Sequence, residues 1–389
     1  MTDGSGVERM NLLLLTVDAW RPDFVEEYGG VRLTPSLELL GPRWVTFPRA
    51  WSTGPWTTPG LVSIFTGQSA ARHGVACSWS APRQGGPALF RTLREAGWAT
   101  PNLSYLNRLD NYSNLGFSRE DAPGPPESSE DPLLEEAIRS TPEPFALWYH
   151  YKFLHLPYWA PDRFRERMGV LEVPEVLRQT VGSLFVAPRG EVEIPGEHAE
   201  TVRRLYAAGV LELDEFLART FRALRSRGAL DRTVVVLTSD HGEELLDHGH
   251  VGHASTAHGA TLYEEVLRIP LLVADPRVPE PRRVEGRVQG SDLYRTLLGL
   301  LGRPDPDGEG LDLSGAVLGG EARIPRDRIL SFHSSRRGFQ TPREMAGHVV
   351  SGWSDGSRKV VVERYDELRA WEFDLREDPG EEHPRELGT

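Results

Sequence analysis

Cysteine and long apolar runs are scarce in this sequence. Cys77 is the one cysteine among 389 residues, so an intramolecular disulfide and a zinc site built from cysteine ligands are both excluded. The apolar run at residues 12–17 is far too short to span a bilayer. The opening stretch "MTDGSGVERM" lacks the residue pattern of a signal peptide. We therefore expect a cytoplasmic protein that does not associate with membranes.

Positive charge is also in short supply. The sequence has 44 lysine and arginine residues against 57 aspartate and glutamate residues, a formal net charge of -13. This balance argues against a general affinity for nucleic acid or for an anionic membrane surface. A small anionic substrate would have to be attracted by local positive charge or by a metal ion.

The order of apolar runs predicts an α/β fold. The length favours one large domain with a smaller appendage. Apolar runs at residues 11–17, 144–151 and 233–239 predict buried strands, and residues 200–228 have the spacing of a long amphipathic helix. This alternation predicts a mainly parallel central sheet with helices on both faces.

The C-terminal part has a different pattern. The stretch "KVVVERYDELRAWEFDL" contains two β-rich runs separated by a turn at residues 365–367. We assign residues 1–320 to a catalytic domain and residues 321–389 to a small antiparallel subdomain. The sequence leaves the oligomeric state open, and a homo-oligomer is one of the possibilities.

Three short motifs carry groups suited to catalysis. Asp18 ends the first predicted strand, and Asp240 and His241 follow another in "TSDHGEE"; these side chains suit a divalent ion. Taken singly, Asp18 could cap a helix, and an Asp-His pair is more often part of a turn. The third motif is "STGPWTTPGLVSIFTG" at residues 52–67, in which a threonine could be the N-cap of a helix that starts at Pro59.

Together, Asp18, the "TTPG" junction and "SDHG" resemble the alkaline phosphatase and sulfatase superfamily in order and spacing. The stretches "TGQSAARHGV", "HLPY", "TLYEEVLRIPLLV" and "AWEFDLREDPGEEHP" agree with further motifs of that family. The resemblance runs from about residue 11 to residue 383 and implies an alkaline phosphatase-like fold. It also implies one divalent metal ion (Mn, Zn, Ca or Mg), held by Asp18, Asp240, His241 and Thr57. A second metal among the histidines is conceivable but not favoured.

The resemblance identifies Thr57 as the nucleophile. Pro59 and the pair at residues 66–67 place Thr57 at the cysteine of the family's Cys-x-Pro-x-Arg motif, and Leu61 at its arginine. True sulfatases convert that cysteine, or a serine, to formylglycine, which threonine cannot become. Threonine is the nucleophile in phosphate-handling branches, where a metal lowers the pKa of its hydroxyl and withdraws charge from the transition state. A cap at the same helix start remains compatible with this role.

The substrate contacts implied by the resemblance depart from the sulfatase pattern. Tyr105 and Asn107 stand where sulfatases carry Gly-Lys-x-His, which is similar to the phosphonate monoester hydrolase branch. Two neutral donors suit a monoanionic diester better than a dianionic monoester. The alternative for Tyr105 is a half-buried aromatic side chain. His155 matches the histidine that contacts the transferred group, but Phe153 replaces a family aspartate, which argues against a second metal on this loop.

Three further residues have family counterparts. His258 stands where relatives have a lysine or histidine beside the leaving group, so we expect a general acid or an oxyanion contact. Arg21 and Lys359 correspond to substrate-binding residues. The alternatives are a salt bridge that holds the first loop for Arg21, and an exposed strand lysine for Lys359.

The leading hypothesis is a hydrolase of phosphodiesters or phosphonate monoesters that forms a phosphothreonine intermediate. Its first rival is a sulfatase that works through threonine without formylglycine. The rival from a different class is a catalytically silent relative that binds an anionic ligand or a partner protein.

Overall fold

The apolar runs of the sequence form the centre of the fold. The computed structural model describes residues 9–77, 79–117, 120–180, 194–253, 260–321, 324–325, 327–335, 348–364 and 367–388. Its strands are β1 (Asn11–Val17), β2 (Trp44–Thr46), β3 (Ala50–Trp51), β4 (Ala146–Tyr151), β5 (Thr233–Ser239), β6 (Glu244–Leu245), β7 (Val251–Gly252), β8 (Leu271–Ala274), β9 (Arg282–Arg283), β10 (Val288–Gln289), β11 (Leu330–Ser335), β12 (Val349–Ser354), β13 (Arg358–Arg364), β14 (Leu368–Asp374) and β15 (Arg385–Leu387). Its α-helices are α1 (Thr57–Thr66), α2 (Ala70–His73), α3 (Leu89–Glu95), α4 (Leu133–Ser140), α5 (Asp162–Arg167), α6 (Glu175–Thr180), α7 (Ala199–Ser226), α8 (Glu264–Leu267), α9 (Asp292–Leu300) and α10 (Ser314–Val317).

The central sheet has the strand order β4-β1-β5-β8-β2-β9. Strand β1 is parallel to both of its neighbours, β4 and β5, and β8 runs antiparallel to the strands beside it. Every residue of β1, β4 and β5 is buried, which explains why these strands read as continuous apolar runs rather than as alternating patterns. The predicted mainly parallel sheet is confirmed.

Helices cover both faces of this sheet. On one face Leu13 and Leu15 of β1 belong to an apolar cluster that includes the long helix α7. On the other face Leu12 and Leu14 belong to a second cluster that includes α1 and α9. Successive side chains of a strand point to opposite faces, so the run of four leucines supplies both cores.

The register of the parallel strands brings three chain segments to one edge. Val17 lies beside Tyr151 of β4 and beside Ser239 of β5. Asp18, Lys152 and Asp240 are the residues that come next in the three segments. The carboxyl edge of a parallel sheet is where ligands of α/β proteins bind.

Strands β11–β15 form a five-stranded antiparallel sheet near the C-terminus. The two β-rich runs of the sequence are β13 and β14, which pair with each other; residues 365–366 of the predicted turn lie outside the described residues. A third apolar cluster joins this sheet to the catalytic part of the chain through Trp51, Trp56, Leu262, Phe332, Val361 and Phe373. The boundary at residue 320 stays a prediction. Among the described helices, none combines the length and apolar character needed to cross a bilayer.

Candidate active site

Asp18 and Asp240 lie next to each other at the carboxyl edge of the central sheet. The backbone N–H groups of Ala19 and His241 donate to Oδ1 of Asp240, at 3.2 and 3.0 Å. Ala19 adopts a left-handed conformation, with φ of 61°, which is uncommon for a residue with a Cβ atom and typical of functional sites. Oδ2 of Asp240 and Oδ1 of Asp18 are buried and accept no hydrogen bond from the described residues. Two carboxylate oxygens therefore remain to be satisfied in one place.

His241 directs one ring nitrogen at these oxygens. Its Nδ1–H donates to the carbonyl of Gly242 at 2.6 Å, which leaves Nε2 facing the site. Nε2 lies 3.3 Å from Oδ1 of Asp18, 3.5 Å from Oδ2 of Asp240 and 3.4 Å from Oγ1 of Thr57. Burial alone would lower the pKa of His241, but the two aspartates raise it to about 9. The cluster thus has a strong demand for positive charge.

His150 is a site residue that the sequence analysis missed. Its Nε2 lies 3.2 Å from Oδ2 of Asp18 and 3.9 Å from Oδ2 of Asp240. Its Nδ1 lies 2.9 Å from the hydroxyl of Thr16, which accepts a hydrogen bond from the indole N–H of Trp148. The available signal was a single histidine in an otherwise apolar buried strand, just before its carboxyl end.

These side chains fit a divalent metal ion. Asp18, His150 and Asp240 each offer a ligand atom, and those atoms all lie within 4.8 Å of one another. The unpartnered carboxylate oxygens and the inward-facing imidazole nitrogens form a mixed oxygen and nitrogen donor set that suits hard or borderline dications. The structure gathers all four predicted metal residues, Asp18, Asp240, His241 and Thr57, and adds His150 to them.

Thr57 is the first residue of helix α1. The N-cap position belongs to Trp56, and no side chain caps this helix end. The expected capping role of Thr57 or Thr58, with Pro59 as the first helical residue, is therefore wrong. The N–H groups of a first helical turn have no partner within the helix, so this helix start can receive an anion.

The close approach of α1 to the end of β5 depends on a glycine. A Cβ atom added at Gly60 would lie 2.2 Å from the carbonyl oxygen of Asp240. The hydroxyl of Ser52 also donates to that carbonyl. The absence of a side chain at Gly60 therefore lets helix α1, which begins at Thr57, pack against the end of β5 beside Asp240.

His155 and His253 continue the row of imidazoles that begins at His241. The Nδ1–H of His155 donates to the carbonyl of Leu156, and the Nδ1–H of His253 to a carboxylate oxygen of Glu243, at 2.6 and 2.7 Å. The ring centroid of His253 lies 4.7 Å from that of His155 and 4.2 Å from that of His241. Each of the three rings is thus anchored through Nδ1 and keeps Nε2 available.

These histidines affect the charge of the site. Burial alone would raise the pKa of Asp18, but the charge of His155 and the close approach of the His150 and His241 rings hold it well below its usual value. Burial and the charge of His241 lower the pKa of His253. The sequence analysis did not single out His253, although the "HGHVGH" spacing was visible. The predicted His258 lies outside the described residues.

The two predicted neutral substrate donors are placed differently. Tyr105 is half-buried, and burial, together with the charges of Asp18 and Asp240, raises its pKa. Its hydroxyl forms no hydrogen bond with a described residue and is available to a ligand. Asn107 is buried in the same turn and donates from its amide to Oδ1 of Asn102 at 2.6 Å. The structure thus brings Tyr105, but not the amide donor of Asn107, to the charge of the site.

Arg21 is engaged inside the protein. Its buried guanidinium donates to Asp23 at 2.9 Å, to Asp247 at 2.5 Å and to the carbonyl of Glu243 at 3.0 Å. These contacts match the alternative of a salt bridge that holds the first loop. No contact among the described residues joins Arg21 to Asp18 or Asp240.

Lys359 is engaged in a second place. Its fully buried ammonium donates to the carbonyl of Leu262 at 2.6 Å and lies 3.2 Å from Glu264 and 2.6 Å from Glu381. The alternative of an exposed strand lysine is therefore wrong. The described contacts of Lys359 serve the junction with the C-terminal sheet rather than the aspartate and histidine cluster.

Comparisons with known proteins agree with this geometry. The sulfatase family model matches residues 10–303, a range that contains Asp18, Thr57, His155 and the pair at residues 240–241. Arylsulfatase K of Danio rerio is 32% identical over 36% of this chain and 24% of its own length. The uncharacterized sulfatase YidJ of Escherichia coli (strain K12) is 24% identical over 97% of this chain and 83% of that protein.

A solved structure supports the same fold. The crystal structure of phosphonate monoester hydrolase of Agrobacterium radiobacter aligns with a TM-score of 0.76, covering 97% of this chain and 91% of that chain. The two sequences are 21% identical in the alignment. The central sheet and the C-terminal antiparallel sheet are therefore those of an alkaline phosphatase-like fold.

Proposed function

The chain belongs to the sulfatase family, and we propose that it is an ester hydrolase that cleaves phosphodiesters or phosphonate monoesters with Thr57 as the nucleophile. The observation that carries this proposal is the position of the Thr57 hydroxyl, 3.4 Å from Nε2 of His241, the same nitrogen that faces the unpartnered oxygens of Asp18 and Asp240. A threonine here excludes the formylglycine route of true sulfatases.

The residues of the site divide the work. A divalent ion held by Asp18, Asp240 and His241, with His150 beside them, would lower the pKa of the Thr57 hydroxyl and offset charge on the ester oxygens. Oγ1 of Thr57 gives its proton to water and bonds to phosphorus while the bond from phosphorus to the leaving oxygen breaks, and the leaving oxygen takes up a proton. Water then attacks the phosphorus atom, the bond from phosphorus to Oγ1 of Thr57 breaks, and Oγ1 takes up a proton.

Proton transfer and positioning fall to groups around the nucleophile. A protonated Nε2 of His155 can give its proton to the departing oxygen, since the Nδ1–H of this ring is already held by the carbonyl of Leu156. The Tyr105 hydroxyl and the N–H groups at the start of α1 can donate to non-bridging oxygens of the substrate. His258, outside the described residues, remains a proposed leaving-group contact.

Two observations favour phosphorus over sulfur. Threonine replaces the residue that sulfatases convert, and the neutral Tyr105 replaces a lysine at the substrate contact. The fold neighbour named a phosphonate monoester hydrolase is consistent with this choice. Arylsulfatase relatives keep a sulfatase that uses threonine directly as the second candidate.

The variant Thr57→Ala tests the nucleophile. We expect turnover to fall by at least about 10³-fold with the metal content unchanged, because the attacking atom is gone while the aspartates and histidines remain. Thr57→Ser should retain measurable turnover, since it keeps the hydroxyl. The matched control is Thr58→Ala, which removes the neighbouring hydroxyl and should affect turnover far less.

Full turnover by Thr57→Ala with metal bound would overturn the proposal. An aryl sulfate, an aryl phosphate, a phosphodiester and a phosphonate ester, assayed with one preparation, test the substrate class. Fastest hydrolysis of the sulfate would replace the phosphorus assignment with a sulfatase. Metal and ligand binding without turnover of any ester would support the catalytically silent relative.

A further inference from the structure

The sequence contains only two lysines, Lys152 and Lys359, among 44 basic residues. Lys359 is fully buried between two glutamates. Lys152 immediately follows β4 and stands two residues after His150, at the edge of the sheet that carries the site. The two lysines therefore occupy opposite electrostatic surroundings.

Lys152 packs against aromatic rings. Its Nζ lies 5.4 Å from the ring centroid of Tyr105 and 5.3 Å from that of Phe153. An ammonium over aromatic faces gains a cation–π attraction but keeps its full charge. Its backbone carbonyl accepts the N–H of His155, so the lysine and that histidine belong to one turn.

No carboxylate among the described residues lies within 4.0 Å of Nζ of Lys152, although acidic residues outnumber basic ones in this chain. By contrast, Arg21 and Lys359, the two cations expected from the sequence to bind substrate, both have carboxylate partners. A half-buried ammonium without such a partner is a cation that a ligand can neutralise.

The place of Lys152 relative to Tyr105 suggests which part of a ligand it meets. Nζ of Lys152 is more than 4.0 Å from the carboxylates of Asp18 and Asp240 and lies 5.4 Å from the ring centroid of Tyr105. The ammonium is therefore outside the aspartate and histidine cluster and beside a residue that we predict to contact the substrate. In the proposed reaction, a charge in this place would meet the alcohol portion of a bound ester rather than the reacting phosphorus group.

We propose that Lys152 is a specificity-determining residue that selects esters whose alcohol portion carries a second anionic group, such as a carboxylate. The inference rests on the proposed ester hydrolysis at Thr57 and names the substrate class of the same site. Lys152 supplies the positive charge that is absent from the Tyr105 position, but directs it at the outer part of the substrate. Its compact ammonium sits on the ring of Tyr105 and stays solvent-accessible for that group.

A matched pair of esters tests this selection. The holoenzyme is assayed with 4-carboxyphenyl and 4-carbamoylphenyl phenylphosphonate, which differ in charge at one end and have similar shapes. We expect the ratio of kcat/KM for the charged ester to that for the neutral ester to fall about tenfold in Lys152→Met and to be retained in Lys152→Arg. In the unmodified protein, this ratio should also decrease as the salt concentration rises.

An unchanged ratio in Lys152→Met would overturn the proposal. An equal loss with both esters would overturn it as well, because the ammonium would then act on the reacting group. If the ratio of kcat/KM falls as much in Lys152→Arg as in Lys152→Met, the protein recognises the shape of the side chain rather than its charge. That result would also reject the proposal.

Amine labelling gives a measurement that does not depend on turnover. Lys359 is fully buried, so mild acetylation followed by mass spectrometry should modify Lys152 in preference to it. In the metal-loaded Thr57→Ala protein, the 4-carboxyphenyl ester should protect Lys152 better than the 4-carbamoylphenyl ester. Equal protection would reject the role of Lys152 even if hydrolysis is established, and selective protection would support it even if both phosphonates resist hydrolysis.

Discussion

Two buried groups of carboxylates differ in the source of their positive charge. At the sheet edge, Asp18 and Asp240 face imidazoles and keep oxygen atoms without a hydrogen-bond partner among the described residues. At the junction with the C-terminal sheet, Glu264 and Glu381 enclose the ammonium of Lys359. The junction thus contains its own cation, while the sheet edge fits one from solution.

The difference separates a structural ion cluster from a binding site. Glu264 also accepts the indole N–H of Trp51 at 2.8 Å, and its backbone N–H donates to Glu381 at 2.7 Å. Groups that satisfy one another in this way hold two parts of the chain together. Oε1 of Glu381 also accepts no hydrogen bond from the described residues, but the ammonium of Lys359 lies 2.6 Å from it. The unpartnered oxygens of the two aspartates face only imidazoles among the described residues, so a cation from solution can remove the free-energy cost of their burial.

The largest effect is expected from a substitution in the sheet-edge group, which consists of Asp18, Asp240 and the imidazoles that face them. Asp240→Asn removes one of its two negative charges and the oxygen that faces His241. We expect the metal affinity to fall by more than about 100-fold and turnover to fall with it, since loss of a ligand exceeds the effect of loss of a supporting hydrogen bond. Metal analysis after dialysis, together with the ester assay, measures this.

The matched control for that variant is Glu381→Gln, which neutralises one carboxylate of the junction and should leave the metal content unchanged. If Asp240→Asn keeps a full complement of metal under the same dialysis, the sheet edge is not the metal site. Loss of metal in both variants would point to global damage and remove the distinction between the two groups.

The next largest effect is expected from a substitution of Lys359 at the junction. Lys359→Met leaves two buried glutamates without their cation, so the free energy of unfolding should fall by about 3–5 kcal/mol at neutral pH. Denaturant unfolding measures the loss, and metal content should remain unchanged. The double variant Lys359→Met/Glu381→Gln should recover part of the stability, because it removes one unpaired charge. A change in Lys359→Met below about 0.5 kcal/mol would show that the ion cluster contributes little.

The smallest expected effect is a pH dependence of the stability that comes from the junction and not from the sheet edge. Burial and the neighbouring Glu264 raise the pKa of Glu381 to about 7 although Lys359 opposes this, whereas the pKa of Glu264 is lowered. The ammonium lies nearer to Glu381, at 2.6 Å, than to Glu264, at 3.2 Å, yet burial and the charge of Glu264 outweigh Lys359 at Glu381. Because the pKa of Glu381 in the folded protein is above the ordinary 4.5, its protonated carboxyl contributes to the free energy of unfolding. This contribution is complete below about pH 4.5 and is lost as the pH rises through about 7.

The unfolding free energy of Glu381→Gln relative to the unmodified protein should therefore increase between about pH 5 and 8, by on the order of 1 kcal/mol. Unfolding curves of both proteins across this range provide the measurement. A difference that stays constant with pH would show that Glu381 is ionised throughout. An opposite slope would show that Lys359 favours the charged form more strongly than burial opposes it.

Local sequence was sufficient for the main elements of the fold. Strand β1 and helix α7 could be predicted because an apolar run buried on both faces and a helical apolar stripe are properties of consecutive residues. Asp18 and Asp240 could be expected at one edge because both follow predicted parallel strands. Two residues of the candidate metal site therefore lie at positions that the spacing of the sequence specifies.

His150 and His253 could not be assigned in the same way. His150 reads as part of a buried strand until the register of β1 with β4 places it beside Asp18. His253 reads as one histidine among several until its Nδ1–H bonds Glu243 and its ring packs between two others. Both roles depend on contacts between residues far apart in the chain.

The charged residues show most clearly what the sequence alone cannot predict. The sequence by itself determined the α/β class, the edge of the sheet where the candidate site lies, and the threonine that we propose as the nucleophile. Only the tertiary structure decided that Arg21 and Lys359 form internal ion pairs, and that Lys152 packs beside Tyr105 without a carboxylate partner among the described residues. The physical reason is that the role of a charge depends on the distance to its partners, and this distance is set by the packing of distant segments.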